Sequence, residues 1–204
     1  MNTLFSHVCV VTMDERMSVW TDAFVGVTDG KISYLSKHAP EEKPAQIIDA
    51  TGMVLMPGLI NCHTHLPMQL LRGYADDLKL QEWLNDYIFP REDRLDGRCV
   101  RAATTLAVAE CLKFGVTSVS DMYYFCDDIC DVIAKSGMKA NISRGTSMFL
   151  GDDFDFEKFP ACQELVALKN KWHNFDGGRI KIEASIHAEY TSTYQLWDAL
   201  AEFA

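Results

Sequence analysis

The sequence predicts an α/β fold in which the first half of a (β/α)8 TIM barrel is preceded by part of a small β-sandwich. Residues 1–56 contain short strand-like runs joined by tight turns, whereas residues 57–204 alternate strand-like and helix-like runs four times. The pattern changes at Pro57-Gly58. Four strand–helix units are half of the eight that close a barrel, and a whole barrel takes about 250 residues.

The sandwich strands are expected where β-branched and aromatic residues gather between turn residues. They are predicted at residues 8–12, 19–27, 31–35, 47–48 and 53–56. Asp29-Gly30 separates the second strand from the third and is a strong signal for a hairpin turn. A polar stretch with two prolines, residues 37–44, predicts the loop before the fourth strand.

In the second part, predicted strands alternate with predicted helices, which is typical of a parallel sheet with crossover helices. The strands are predicted at residues 59–62, 116–120, 138–143 and 179–186, and the helices at 78–89, 98–114, 127–136 and 157–175. Gly115 stands where a helix-terminating glycine belongs. A last helix is expected after Ser192, because Ser192 and Gln195 have the spacing of a capping box.

Charge and composition argue against several classes of function. Hydrophobic residues make up 48% of the chain and the formal net charge is −10, so nucleic acid and anionic membrane are not expected as main partners. The sequence has no apolar run of about 18 residues that would predict a transmembrane helix, and its first residues do not resemble a signal peptide. The seven cysteines are scattered, which favours free thiols in the cytoplasm.

The sharpest local feature is the pair His63 and His65, which ends an apolar predicted strand. Residues two apart in a strand point to the same face, and barrel enzymes hold their active sites at the C-terminal ends of their strands. Two imidazoles placed in this way can ligate one divalent ion. The alternative is a pair of ordinary half-buried or surface histidines.

Polar residues also end the other three predicted barrel strands, which finish at Asp121, Arg144 and His187. Each has an ordinary structural alternative: Asp121 could cap the next segment, Arg144 could pair with a surface acid, and His187 could be a satisfied buried histidine. Their shared position beside the histidine pair favours a common cleft.

The sequence also resembles a known family. Residues 49–65, DATGMVLMPGLINCHTH, resemble the first barrel strand of the amidohydrolase superfamily. Six further motifs are similar to those of 5′-methylthioadenosine/S-adenosylhomocysteine deaminases and their chlorohydrolase-like (ATZ/TRZ) relatives. They are PMQLLRGYADDL at 67–78, EWL at 82–84, PREDRL at 90–95, DMY at 121–123, SRG at 143–145 and IHAEYT at 186–191. The resemblance therefore covers essentially the whole chain.

The resemblance implies a barrel flanked by a β-sandwich that is built from both ends of the chain. It also implies one divalent metal ion, with zinc favoured and iron as the alternative, held by His63 and His65 together with a histidine and an aspartate from later strands. The family's substrate-contacting residues map to Glu92, Arg144 and His187.

The implied activity is metal-dependent hydrolytic deamination of a small-molecule substrate, an adenosine-like nucleoside, in the complete protein. The alternatives are a chlorohydrolase or ring-opening amidohydrolase of the same superfamily, and a truncated, non-catalytic binding module. Residues 152–157 are acidic and aromatic where family deaminases can carry a second arginine. This difference favours the wider class of small-molecule substrates, adenosine-like nucleosides or other amino-heterocycles, over S-adenosylhomocysteine itself. Both a monomer and a homo-oligomer are compatible with the sequence.

The predicted last helix reaches Ala204 without a capping signal, and half a barrel would leave open sheet edges. These features favour a chain cut from a longer protein. We therefore expect the general acid or base and the remaining metal ligands beyond Ala204, and no activity from the 204 residues alone.

Overall fold

The computed structural model describes residues 1–149, 151 and 153–204. Asp152, which begins the acidic and aromatic segment discussed above, lies outside the described residues. The chain forms two compact units, Met1–Gly58 and Leu59–Ala204. The division falls two residues after the boundary that we place between residues 56 and 57.

The first unit is built around a sheet whose described strands run in the order β3-β2-β1-β4, with β5 also paired to β1. The strands are β1 (Thr3–Val11), β2 (Val19–Thr28), β3 (Lys31–Ser36), β4 (Gln46–Asp49) and β5 (Val54–Leu55). β2 is antiparallel to β1 and β3, whereas β4 and β5 are parallel to β1. Alternate residues, including Val8, Val10, Ala23 and Val25, form its small core.

The prediction for the first strand is wrong at its start, because β1 begins at Thr3 rather than at residue 8. The pairing of β1 with β2 shifts register between Phe5 and Val8, and His7 has a φ of 56°. Such a bulge interrupts the alternation of side chains on which strand prediction depends.

The second unit is a half-barrel. Its described strands are β6 (Leu59–Thr64), β7 (Val116–Tyr123), β8 (Lys139–Thr146) and β9 (Ile180–Ile186). They pair in parallel in the order β6-β7-β8-β9, each beside the next in sequence. Parallel neighbours require crossover connections, so this order confirms the predicted α/β half-barrel.

Helices connect and cover these strands. They are α1 (Leu80–Glu82), a π-helical turn (Trp83–Ile88), α2 (Phe89–Glu92), α3 (Gly97–Lys113), α4 (Cys126–Ser136), α5 (Pro160–Trp172), α6 (Phe175–Gly178) and α7 (Tyr194–Phe203), with 3-10 turns at Leu66–Leu71 and Glu189–Thr191. Asp96 caps α3 by accepting a 2.8 Å hydrogen bond from the Cys99 amide, and Gly115 ends it with a φ of 78°. No helix in the described part of the chain has the length and apolar character needed to cross a membrane.

Three predicted helix starts are wrong. The first predicted helix begins at Leu80 rather than at residue 78. The fourth predicted helix begins at Pro160 rather than at residue 157, because proline suits the first turn of a helix. It ends at Trp172. The predicted capping box does not form, since α7 begins at Tyr194 after Thr193. The Ser192 hydroxyl instead donates a 2.6 Å hydrogen bond backwards to the Ala188 carbonyl.

The core of the second unit lies between the sheet and its helices. Its fully buried members include Val119 and Ile142 from the strands and Ile129, Ile133 and Leu165 from α4 and α5. Burying an aliphatic side chain of this size contributes about 1.5–3 kcal/mol to folding. Because the four strands are parallel, their C-terminal ends lie at one edge of the sheet.

Candidate active site

The histidine pair lies at the end of β6. His63 is the penultimate residue of the strand, and His65 follows its last residue, just before the 3-10 turn that begins at Leu66. The two Nε2 atoms are 3.2 Å apart and the rings meet edge to face at 84°. Their nitrogen atoms therefore converge on one point, as the predicted spacing requires.

The ring of His65 is fixed by the backbone of β7. Its Nδ1 lies 2.7 Å from the Met122 carbonyl oxygen. A carbonyl oxygen can only accept, so Nδ1 carries the proton and the lone pair of the neutral ring is at Nε2. Histidines that bind metal ions usually have this arrangement, in which the second ring nitrogen donates to a carbonyl or carboxylate.

The convergence and the assigned tautomer fit a divalent ion bound through both Nε2 atoms. Within the described residues, no group of three or more histidine, cysteine, aspartate and glutamate side chains is arranged to hold a metal. This portion of the chain therefore offers two ligands of such a site.

Asp121 is hydrogen-bonded to residues 63–66, which we call the histidine segment. Its Oδ1 accepts hydrogen bonds from the Leu66 amide at 2.7 Å and from the Thr64 hydroxyl at 2.8 Å. Asp121 therefore binds the residues on both sides of His65. The Thr64 hydroxyl is also 3.0 Å from the Ser120 carbonyl oxygen. Burial raises the pKa of Asp121 to about 6, although the two hydrogen bonds oppose that shift.

The prediction that the second barrel strand ends at Asp121 is wrong, because β7 continues to Tyr123. The side chain is only 1% exposed, and it is not among the described residues that line the cavities discussed next. It holds the preceding histidine segment and does not cap the segment that follows it.

A cavity of about 330 Å³ brings together four of the five predicted site residues, His63, His65, Glu92 and His187. A larger cavity, of about 790 Å³, shares Glu92 and His187 with the first and adds Arg144. The five predicted residues therefore line two adjoining cavities at the C-terminal edge of the sheet. Their roles toward a substrate stay predictions.

Glu92, at the end of α2, accepts a 2.6 Å hydrogen bond from the Tyr123 hydroxyl. Burial raises the pKa of Glu92, and this hydrogen bond opposes the change. Burial and the carboxylate together raise the pKa of Tyr123. Tyr123 was missed by the sequence reasoning, although its place two residues after Asp121, on the same face of a strand, was the available signal.

His187 follows directly after β9. Its Nδ1 is 2.9 Å from the Thr191 hydroxyl, which itself donates to the Ala188 carbonyl. Nδ1 is therefore the donor toward Thr191, and Nε2 is left as an acceptor. Burial lowers the pKa of His187, and His65 adds to that effect, so both favour the uncharged ring.

Arg144 lies inside β8, which runs on to Thr146, so the prediction that the third strand ends at Arg144 is wrong. Its Nε donates a 2.5 Å hydrogen bond to Glu164 on α5, and its guanidinium lies 4.8 Å from the centre of the Tyr124 ring. Its Nη1 donates to the Gly145 carbonyl. Arg144 thus pairs with an acid, as the alternative prediction has it, and also lines the larger cavity.

Sequence comparison identifies the family to which this half-barrel with its histidine pair belongs. The profile of the amidohydrolase family matches residues 54–204. The chain belongs to the amidohydrolase family.

Among its curated relatives, a 5′-deoxyadenosine deaminase from Methanosphaera stadtmanae is 38% identical over 177 residues, covering 85% of this chain and 40% of the relative. A 5-methylthioadenosine/S-adenosylhomocysteine deaminase from Thermoanaerobacter pseudethanolicus is 33% identical over 204 residues, covering 100% of this chain and 47% of the relative. The chain therefore spans less than half the length of these two relatives.

Solved structures agree with this assignment. An adenosine deaminase from Xanthomonas campestris with bound zinc has a TM-score of 0.87 and 30% identity, over 100% of this chain and 46% of its own. The atrazine chlorohydrolase TrzN from Arthrobacter aurescens, complexed with zinc, also has a TM-score of 0.87, over 99% of this chain and 50% of its own. Its identity is 21%, so it supports the fold alone.

Proposed function

We propose that this chain forms part of the active site of a metal-dependent hydrolase that deaminates an adenosine-like nucleoside. The observation that carries the proposal is the 3.2 Å approach of the His63 and His65 Nε2 atoms in a cavity that also contains Glu92 and His187. Relatives at 33–38% identity are named as deaminases of adenosine derivatives. The chlorohydrolase is 21% identical, which makes chlorohydrolase chemistry the weaker alternative.

His63 and His65 would hold the divalent ion through their Nε2 atoms, and the zinc in the related adenosine deaminase structure supports zinc. When bound, the ion supplies Lewis acidity and lowers the pKa of water toward neutrality. The Met122 carbonyl keeps Nδ1 of His65 protonated, so the lone pair at Nε2 would be available to bind the ion. Asp121 keeps the segment around His65 in place.

Glu92 and His187 suit the recognition of a nucleoside. A carboxylate accepts hydrogen bonds from a pair of sugar hydroxyls, and the Tyr123 hydroxyl orients the Glu92 carboxylate for that role. His187 directs Nδ1 at the Thr191 hydroxyl, so Nε2 of the uncharged ring fits a further hydroxyl or amino donor. The cavity between them, about 330 Å³, admits a purine ring rather than a macromolecule.

The test is release of ammonia from adenosine, 5′-deoxyadenosine and methylthioadenosine by the protein made from its complete gene. His63→Ala and His65→Ala should each lower kcat at least 100-fold and reduce the bound zinc measured by elemental analysis, because each removes a ligand. His38→Ala, an exposed histidine of the first unit, is the matched control and should change neither. Full activity and full zinc content in either ligand variant would contradict the proposal.

We also propose a reducing compartment such as the cytoplasm for this protein. All seven cysteines lie within the described residues, and each has a free thiol. Free cysteines that are mostly buried or half-buried are typical of reducing compartments. Cell fractionation followed by immunoblotting tests this location, and recovery of the protein from an oxidising compartment would contradict it.

A further inference from the structure

The larger cavity continues from the histidine pair toward Arg144. On the proposed function, the purine ring lies near His63 and His65, and the ribose lies at Glu92. Glu92 and His187 line both cavities, so the group attached to the 5′ carbon of the ribose extends into the larger one. The residues of that cavity then decide which 5′ substituents are accepted.

The larger cavity is acidic. Its described lining residues include five carboxylates but two basic side chains, Arg144 and Lys171. Each base already has a carboxylate partner. The Lys171 Nζ is 2.7 and 2.9 Å from the two oxygens of Asp127, and the Arg144 Nε is 2.5 Å from Glu164. Asp128 is paired with Arg101, which is not among the described lining residues. Glu92 and Asp93 therefore give the cavity its excess of negative charge.

Arg144 lies against Tyr124, a residue that lines both cavities, and it is held on three sides. Glu164 accepts from Nε, the Gly145 carbonyl accepts from Nη1, and the Tyr124 ring covers one face. Its side chain is 16% exposed, whereas that of Glu164 is 54% exposed. A substrate carboxylate that approached this guanidinium would meet the Glu164 carboxylate beside it, and like charges disfavour each other.

We propose that Glu164 is a specificity-determining residue that makes the site prefer nucleosides with an uncharged 5′ substituent over those whose substituent is anionic. It acts by neutralising Arg144, which would otherwise bind an anion through its planar set of N–H donors. The inference rests on the proposed function, and it narrows the substrate class to uncharged 5′-substituted adenosines.

The experiment compares two thioether substrates that differ in one charged group, 5′-propylthio-5′-deoxyadenosine and 5′-(2-carboxyethylthio)-5′-deoxyadenosine. S-adenosylhomocysteine is a poorer choice because the ammonium of its homocysteine would itself pair with Glu164. The protein from the complete gene should prefer the propyl compound by at least 30-fold in kcat/KM. Glu164→Gln keeps the size and one acceptor oxygen, and it should reduce that preference at least tenfold.

Two further variants identify the cause. The double variant Arg144→Gln/Glu164→Gln should lose the gain toward the carboxylate substrate, because the gain requires a released guanidinium. Glu157→Gln removes an exposed acid that is not among the described cavity residues and should leave the preference as it is. Competitive inhibition by the two deaminated products gives the same comparison without turnover.

Equal kcat/KM for the two thioethers, or an unchanged preference in Glu164→Gln, would overturn the role of Glu164 while the deaminase proposal stands. Deamination of neither thioether, nor of adenosine, would overturn the proposed function and the inference with it. Because Glu164 is more than half exposed on α5, its replacement by glutamine leaves the fold intact.

Discussion

Replacing Asp121 by alanine should weaken metal binding, because Asp121 holds the histidine segment in place through hydrogen bonds. The change removes the acceptor of the Leu66 amide and one of the two acceptors of the Thr64 hydroxyl. Leu66 is buried at 4% exposure, so its N–H group would be left unsatisfied at a cost of about 1–3 kcal/mol. Thr64 would keep its hydrogen bond to the Ser120 carbonyl, so it adds little to that cost.

The same change should lower zinc affinity by roughly 10–100-fold, the range typical of lost interactions that orient metal ligands. The assay is zinc competition against a chromophoric chelator, paired with urea unfolding of the metal-free protein. Both use the protein from the complete gene. Ser143→Ala is the matched control, because Ser143 is buried and bonds the Asp121 carbonyl oxygen but does not touch the histidine segment. It should leave zinc affinity within threefold.

The Asp121→Asn variant distinguishes a loss of histidine positioning from a general loss of core stability. Its amide oxygen can still accept from Leu66, so its zinc affinity should lie between those of the alanine variant and the unmodified protein. If Asp121→Ala bound zinc as tightly as the unmodified protein, the histidines would not depend on Asp121 for their position. A stability loss with no change in zinc affinity would reduce Asp121 to a purely structural residue.

Two more predictions concern recognition and completeness. Glu92→Gln should weaken turnover of adenosine-type nucleosides more than that of free bases, by roughly 1–3 kcal/mol for a charge-assisted hydrogen bond; equal losses in kcat/KM on both would count against a ribose contact. The 204-residue chain alone, with added zinc or iron, should release no ammonia from adenosine, methylthioadenosine or S-adenosylhomocysteine, because a hydrolytic metal needs about three protein ligands. Turnover within tenfold of the protein from the complete gene would show instead that these residues hold a complete site.

Local pattern was sufficient for the order of elements and for the histidine pair. Strand and helix periodicities are set by neighbouring residues, and so the four parallel strands and the helices after them could be predicted. The spacing of His63 and His65 could also be interpreted, because the two positions share a strand face. Their Nε2 atoms converge as that spacing requires.

Strand ends were less predictable, because burial of a polar side chain depends on distant partners. Asp121 and Arg144 looked like residues that end a strand, yet β7 and β8 continue beyond both. Asp121 can stay inside because the Leu66 amide, 55 residues away in sequence, supplies a hydrogen bond. A polar residue marks the end of a strand only when no such partner is available.

The sequence by itself determined the half-barrel, the family and five of the residues that line the cleft, because these depend on local periodicity and on motifs that lie within short segments. Only the tertiary structure decided how those residues are held. The Met122 carbonyl that sets the tautomer of His65 belongs to the backbone, so no side chain marks it. The pairs Tyr123–Glu92 and Arg144–Glu164 join residues 31 and 20 positions apart, and such contacts arise only when the parallel strands and their helices pack together.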